Sequence, residues 1–155
     1  LTIEHKNIDD ANLHEPLGVA SAAVGTVYVA DGAGSGAWSP PPHNVILHSS
    51  LADVSSPSST YFVAPVAGTI ESISTVLHGA ITAANSLITF FINGIPITNS
   101  TVTVAFSGSA AGSRFFSTPT ALNTIAAGDL ITATSDGGSS TGNIQLSIAL
   151  KVKVS

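Results

Sequence analysis

The chain has no cysteine and no methionine, a single tryptophan, and only four basic and nine acidic residues among 155. Without cysteine there is no disulfide framework and no thiolate metal site, which fits assembly in a reducing cytoplasm. The basic residues, Lys6, Arg114, Lys151 and Lys153, are too few to neutralise a run of phosphates. The net charge of −5 has the wrong sign as well, so no nucleic-acid partner is expected. No stretch of about eighteen apolar residues could form a spanning helix, and no membrane partner is expected. Leu1–Ile8 contains Glu4, His5 and Lys6 and does not read as a signal peptide. Charged residues make up 8% of the chain, against about a quarter in ordinary soluble domains. A surface so poorly solvated by charge is expected to be partly covered by subunits or partners.

What is present is a sheet pattern. From Ile144 to Val154 the even-numbered residues Ile144, Leu146, Ile148, Leu150, Val152 and Val154 are all apolar. Side chains on a strand alternate between faces, so this spacing predicts a long strand with one buried face over 143–154. Further strands are predicted at Val45–Leu51, Thr60–Ala64, Thr69–His78, Ser86–Ile92, Ile95–Thr98, Thr101–Ser107, Arg114–Thr118 and Asp129–Ser135. Asn93-Gly94 supplies a hairpin turn, and Val102, Val104 and Phe106 are expected to point inward. Strands in this number and at this spacing indicate an all-β fold, an antiparallel β-sandwich or jelly roll. Leu87, Ile88, Phe90 and Phe91 make one strand apolar on both faces, which marks them as candidates for a contact between copies.

Residues 1–39 differ from the rest. They hold five acids and one base, and residues 40–155 hold four acids and three bases. Pro40-Pro41-Pro42 favours a stiff, extended spacer, placing a linker at 40–44 between an N-terminal arm at 1–39 and the sandwich at 45–155. The apolar residues of the arm, including Ile3, Ile8, Leu13, Leu17, Val27, Val29 and Trp38, are too irregularly spaced for one amphipathic helix. Val27–Ala30 reads as a short strand. The arm as a whole is expected to order only against another surface, with Tyr28 and Trp38 among its contact residues. Trp38 has two readings, packing within its own subunit or anchoring a contact with a neighbour.

The arm segments Ile3-Glu4-His5-Lys6-Asn7-Ile8, Leu13-His14-Glu15-Pro16-Leu17-Gly18-Val19 and 25–38 resemble a segment of tailed-bacteriophage virion proteins, fibres included. Residues 63–70, 77–82, Ile92-Asn93-Gly94 and Ser135-Asp136-Gly137-Gly138 resemble phage head decoration, or cement, proteins. The resemblance implies a homotrimer on the outer capsid surface of the virion, made in the bacterial host, that clamps neighbouring major capsid proteins.

Candidate chemistry is sparse. His5, His14, His43, His48 and His78 lack the pair spacing of a helical or hairpin metal site. Only a ring of His48 or His78 about a three-fold axis survives as a metal arrangement, beside the simpler surface role, and no metal or cofactor is expected. Asp31–Gly36 lacks the Lys-Ser/Thr ending of a nucleotide loop. Asp136–Ser140 has too few alternating oxygen ligands for calcium. No Gly-x-Ser-x-Gly elbow and no cleft-forming acid pair stand out, so no enzymatic activity is expected. The alternative to a cement role is a head- or tail-fibre domain that binds a host-surface carbohydrate.

Overall fold

A computed structural model describes residues 22–30, 36–41, 43–138 and 142–154. Every regular element among them is a strand: β1 (Val27–Ala30), β2 (Gly36–Ser39), β3 (Asn44–Leu51), β4 (Pro57–Val63), β5 (Gly68–Leu77), β6 (Ser86–Ile92), β7 (Ile95–Pro96), β8 (Val102–Val104), β9 (Arg114–Ser117), β10 (Thr124–Ile125), β11 (Leu130–Asp136) and β12 (Leu146–Val154). The chain falls into two compact units, Leu1–Pro42 and His43–Ser155.

The second unit is an antiparallel β-sandwich. One sheet has the order β3-β12-β5, with β9 and β10 sharing the far edge of β5; the other has the order β4-β11-β6, with β7 and β8 sharing the far edge of β6. The chain changes sheet from β3 to β4, β4 to β5, β5 to β6, β8 to β9, β10 to β11 and β11 to β12. Neighbouring strands in each sheet are therefore mostly distant in sequence. β12, central in its sheet, carries the predicted alternation, with Leu146, Ile148, Leu150 and Val152 buried. Facing them from the other sheet are Phe62, Ile88, Phe90, Ile92, Val102, Val104, Ile131 and Ala133, in one continuous core. Burying a side chain of this size stabilises by about 1.5–3 kcal/mol, so the core explains why these strands pair as they do. Among the described residues, every buried core residue belongs to the second unit.

Local chemistry sets the corners. Asn93 and Gly94 both have positive φ, 49° and 83°, as a two-residue hairpin turn between β6 and β7 requires. Pro57 is tolerated because it opens an edge strand. The loop before β4 inserts Val54 fully into the core. Its carbonyl accepts from the buried hydroxyls of Ser86 (2.9 Å) and Ser135 (3.1 Å), which are also 3.0 Å from each other. Asp53 fixes the loop by accepting from the amide and hydroxyl of Ser55, at 2.9 and 2.6 Å. These bonds hold its carboxyl down at about 2.

Several expectations need correction. Ile88 and Phe90 cannot face another copy, because both are fully buried in the chain's own core. The two-sided character of β6 divides strictly by the pleat: Ser86, Ile88, Phe90 and Ile92 point inward, Leu87, Thr89 and Phe91 outward. Phe106 is exposed rather than inward, since β8 ends at Val104 and the pleat no longer governs its direction. Asn44, assigned to the linker, is the first residue of β3 and is paired with Lys153. The last strand begins at Leu146 and not at 143, because the Ile144 carbonyl is taken by the Val54 amide. Two short strands, β2 and β10, carried no clear sequence signal.

Within the first unit, β1 and β2 form an antiparallel hairpin in which Tyr28 lies opposite Trp38. Their rings meet edge to face with centroids 5.5 Å apart. The arm therefore holds local order of its own in Val27–Ala30 and Gly36–Ser39. Ile3, Ile8, Leu13 and Leu17 lie outside the described residues.

Candidate interaction surfaces

The strand register fixes what each outer face of the sandwich offers. On the β4-β11-β6 sheet the outward residues form cross-strand rows: Val63–Leu130, then Tyr61–Thr132–Phe91–Pro96, then Ser59–Thr134–Thr89. Leu87 stands beyond them beside Thr103. None of these residues is charged; one acid, Asp136, ends β11 in the same outward phase opposite Pro57 and accepts from the Leu87 amide. Tyr61, Val63, Leu87 and Leu130 are exposed and Phe91 half-buried, so apart from Asp136 at its end this is a neutral face rich in apolar surface.

The outer face of the β3-β12-β5-β9 sheet is different. Its rows read Ile46–Lys151–Ser72, His48–Ala149–Ser74–Phe116 and Ser50–Ser147–Val76–Arg114, with Lys153 at one end between Asn44 and Thr69. All the cationic side chains among the described residues, Arg114, Lys151 and Lys153, are on this face. The pairing slips between Lys151 and Val152. The extra residue in β5 is Glu71, whose carboxylate lies 2.8 Å from Lys151 Nζ. That hydrogen bond is the main reason its carboxyl titrates below the usual glutamate range. The central strands contribute the small outward residues Ser72, Ser74, Ser147 and Ala149 together with Val76, Lys153 and the Lys151–Glu71 pair, and the flanking strands contribute Ile46, His48, Phe116 and Arg114.

An open cleft of about 430 Å³ lies at one end of the sandwich, lined by Ile92, Asn93, Ile95, Leu122, Thr124 and Asp129. Its one acid is committed to the fold. Asp129 accepts from the Ala126 amide at 2.7 Å and from the Asn93 side-chain amide at 2.8 Å, and these bonds lower its pKa in that order. No nucleophile–base pair lines it. Among the described residues, no three His, Asp or Glu side chains gather around a possible metal position. His48 is exposed on the cationic face, and His78 Nε2 lies 2.7 Å from Ser147 Oγ.

The sequence-derived contact residues thus separate into three places. Val27, Tyr28, Val29 and Trp38 share the hairpin, where Val27 and Val29 are exposed. Leu87 and Phe91 lie on the neutral face, and Ile88 and Phe90 belong to the core. Sequence reasoning missed the opposite face altogether. Its signal was present in the polar positions of the final strand, where Lys151 and Lys153 alternate with buried residues.

No protein-family model matches the chain, and no curated protein matches it significantly.

Proposed function

We propose that this protein is a structural virion component: a homotrimeric cement protein on the outer capsid surface that bridges major capsid proteins and holds the head against internal DNA pressure. The observation that carries this reading is the division of labour between the two units. The sandwich closes its own core, while the arm carries an apolar hairpin and joins it through a proline-rich spacer. A two-stranded hairpin is marginal alone in water, so a hairpin with exposed Val27 and Val29 is suited to docking on a second surface. The repeated change of sheet along the chain supports the jelly-roll reading, and with it the resemblance to decoration proteins. Leu87 and Phe91 on the neutral face are the remaining candidates for contact between copies. Several modest contacts linked in one oligomer hold far better than one, which is how a small clip resists an outward load.

Exposed Tyr61, Phe106 and Phe116 favour the second reading, a fibre domain that stacks on host-surface carbohydrate. Particles lacking the protein separate the two. The cement reading expects intact heads that release DNA at lower temperature with normal adsorption to cells. Normal heat resistance with failed adsorption would replace it by the fibre reading. Trp38→Ala should reproduce part of the heat sensitivity, because loss of a desolvated aromatic anchor costs about 2 kcal/mol or more at a contact centre.

A further inference from the structure

The cleft at the end of the sandwich combines a fixed polar pair with an apolar wall. Asn93 is oriented from both sides: its side-chain oxygen accepts from the Leu130 amide at 3.0 Å, and its Nδ2 donates to Asp129 at 2.8 Å. The other oxygen of Asp129 accepts from the Ala126 amide at 2.7 Å. These bonds position both side chains without exhausting them, because each carboxylate oxygen keeps a further lone pair and Nδ2 a second hydrogen. The Ala126 and Asn93 bonds also hold the carboxyl below the usual aspartate range, so it is ionised at neutral pH. Thr124 adds a hydroxyl to the lining.

Leu122 lines the same cleft from a strained backbone. Its φ is +53°, a left-handed conformation that suits glycine and is uncommon for leucine. The chain is pinned on both sides of it. Before it, the Ala121 carbonyl accepts from the Thr98 amide at 3.0 Å. After it, the Asn123 carbonyl accepts from the Ile70 amide at 2.9 Å and the Asn123 side chain donates to the Ile70 carbonyl at 2.8 Å. Leu122 is 62% exposed and Ile95, in the same lining, 57%. A side chain so exposed adds little to the chain's own core, so what the strained backbone secures is an apolar wall of the cleft.

We propose that this cleft binds a saccharide, with one pyranose ring laid by its C–H face on Ile95 and Leu122 and its hydroxyls on Asp129 and Asn93. A hydroxyl both gives a hydrogen to a carboxylate and accepts one from an amide N–H. An ammonium group would use Asp129 alone, and an anion Asn93 alone. The volume of about 430 Å³ lies within the usual span of small-molecule clefts, about 300–1,000 Å³. The site is separate from Tyr61, Phe106 and Phe116; it gives the fibre reading a defined ligand position and rests on that reading only for its biological use.

The test titrates the full chain, labelled with ¹⁵N, with the methyl glycosides of glucose, mannose and galactose at millimolar concentrations. Saturable NMR shifts of the Asn93 side-chain amide and of the Leu122, Thr124 and Asp129 backbone amides with at least one sugar are the expected result. No saturable shift with any of them, or shifts that map elsewhere, would overturn the proposal. Tighter binding of ethylammonium than of every sugar would overturn it as well, by making the cleft a cation site. Leu122→Gly relieves the backbone and removes the wall, so it should fold as the parent does. It should weaken the best sugar roughly tenfold, the effect of losing an apolar contact of leucine size. Unchanged affinity in that variant counts against the proposal. Adsorption of particles to cells is scored separately: sugar binding here, with normal adsorption of particles lacking the protein, would remove the fibre reading and leave the site standing.

Discussion

The two outer faces of the sandwich share strand geometry and differ in chemistry. The β4-β11-β6 face is neutral, with Tyr61, Phe91, Val63 and Leu130 among threonines and serines. The β3-β12-β5-β9 face bears Arg114, Lys151 and Lys153, with Glu71 paired to Lys151, among Ser72, Ser74, Ser147, Ala149 and Val76. Both sheets bury their other sides in the same core. Since the core is indifferent to what points outward, the outer faces are where the sequence was free to specify partners. In a chain this poor in charge, concentrating the cations on one face makes the two sides of the domain chemically distinguishable to anything that approaches.

The largest test of this division compares adjacent residues of β6. Phe90→Ala empties a fully buried site and should destabilise by about 3–5 kcal/mol in chemical denaturation. Phe91→Ala, on the outward side, should cost less than about 1 kcal/mol in the isolated chain. Comparable losses at both sites would mean that the neutral face is also packed, and the comparison would fail.

A charge inserted into the neutral face sharpens the contrast. Thr132→Lys, between Tyr61 and Phe91, should leave the fold within about 0.5 kcal/mol of the parent and, on the homotrimer proposed above, shift the light-scattering mass to that of one chain. Ser74→Lys, on the already cationic face, should leave the trimer mass unchanged if the neutral face is the main contact between copies. A drop in mass with Ser74→Lys alone would transfer that role to the opposite face.

The smallest expected effect lies outside both faces, in the loop that Asp53 ties. A carboxyl held at about 2 in the folded chain, against an ordinary 3.8, contributes stability that is fully present above pH 4. That contribution is lost as pH falls from about 4 toward 2. Solvent screening limits it to about 1 kcal/mol. Asp53→Asn should remove this component, so that variant and parent stabilities converge as the pH approaches 2. A constant difference across that window would show that the Ser55 bonds do not depend on the charge.

How far the sequence could be read depended on distance along the chain. The alternation in β12 and the Asn93-Gly94 turn are local signals, and both elements formed as expected. The limits of β6 at Ser86–Ile92 were likewise legible from its apolar run. Its facing was not, because Leu87-Ile88-Thr89-Phe90-Phe91-Ile92 offers apolar residues in both phases. Only pairing with β11, where Phe90 sits opposite Ala133 and Phe91 opposite Thr132, decides which phase is inside. Val54 shows the same limit: nothing marks a loop valine as core until Ser86 and Ser135 close on its carbonyl from two other strands.

By itself the sequence determined that the protein is all-β, where most of its strands lie, and that an acidic, proline-separated arm precedes them. These properties follow from the period of side-chain alternation, from turn residues and from composition, each readable within a few positions. Tertiary structure decided that Val27–Ala30 pairs with Gly36–Ser39, that Ile88 and Phe90 are core while Leu87 and Phe91 face outward, and that Arg114 from β9 joins Lys151 and Lys153 from β12 on one face. Those outcomes depend on register between strands far apart in the chain. Register is fixed by which pairing buries the most apolar surface, a property of the whole sandwich that no single segment carries.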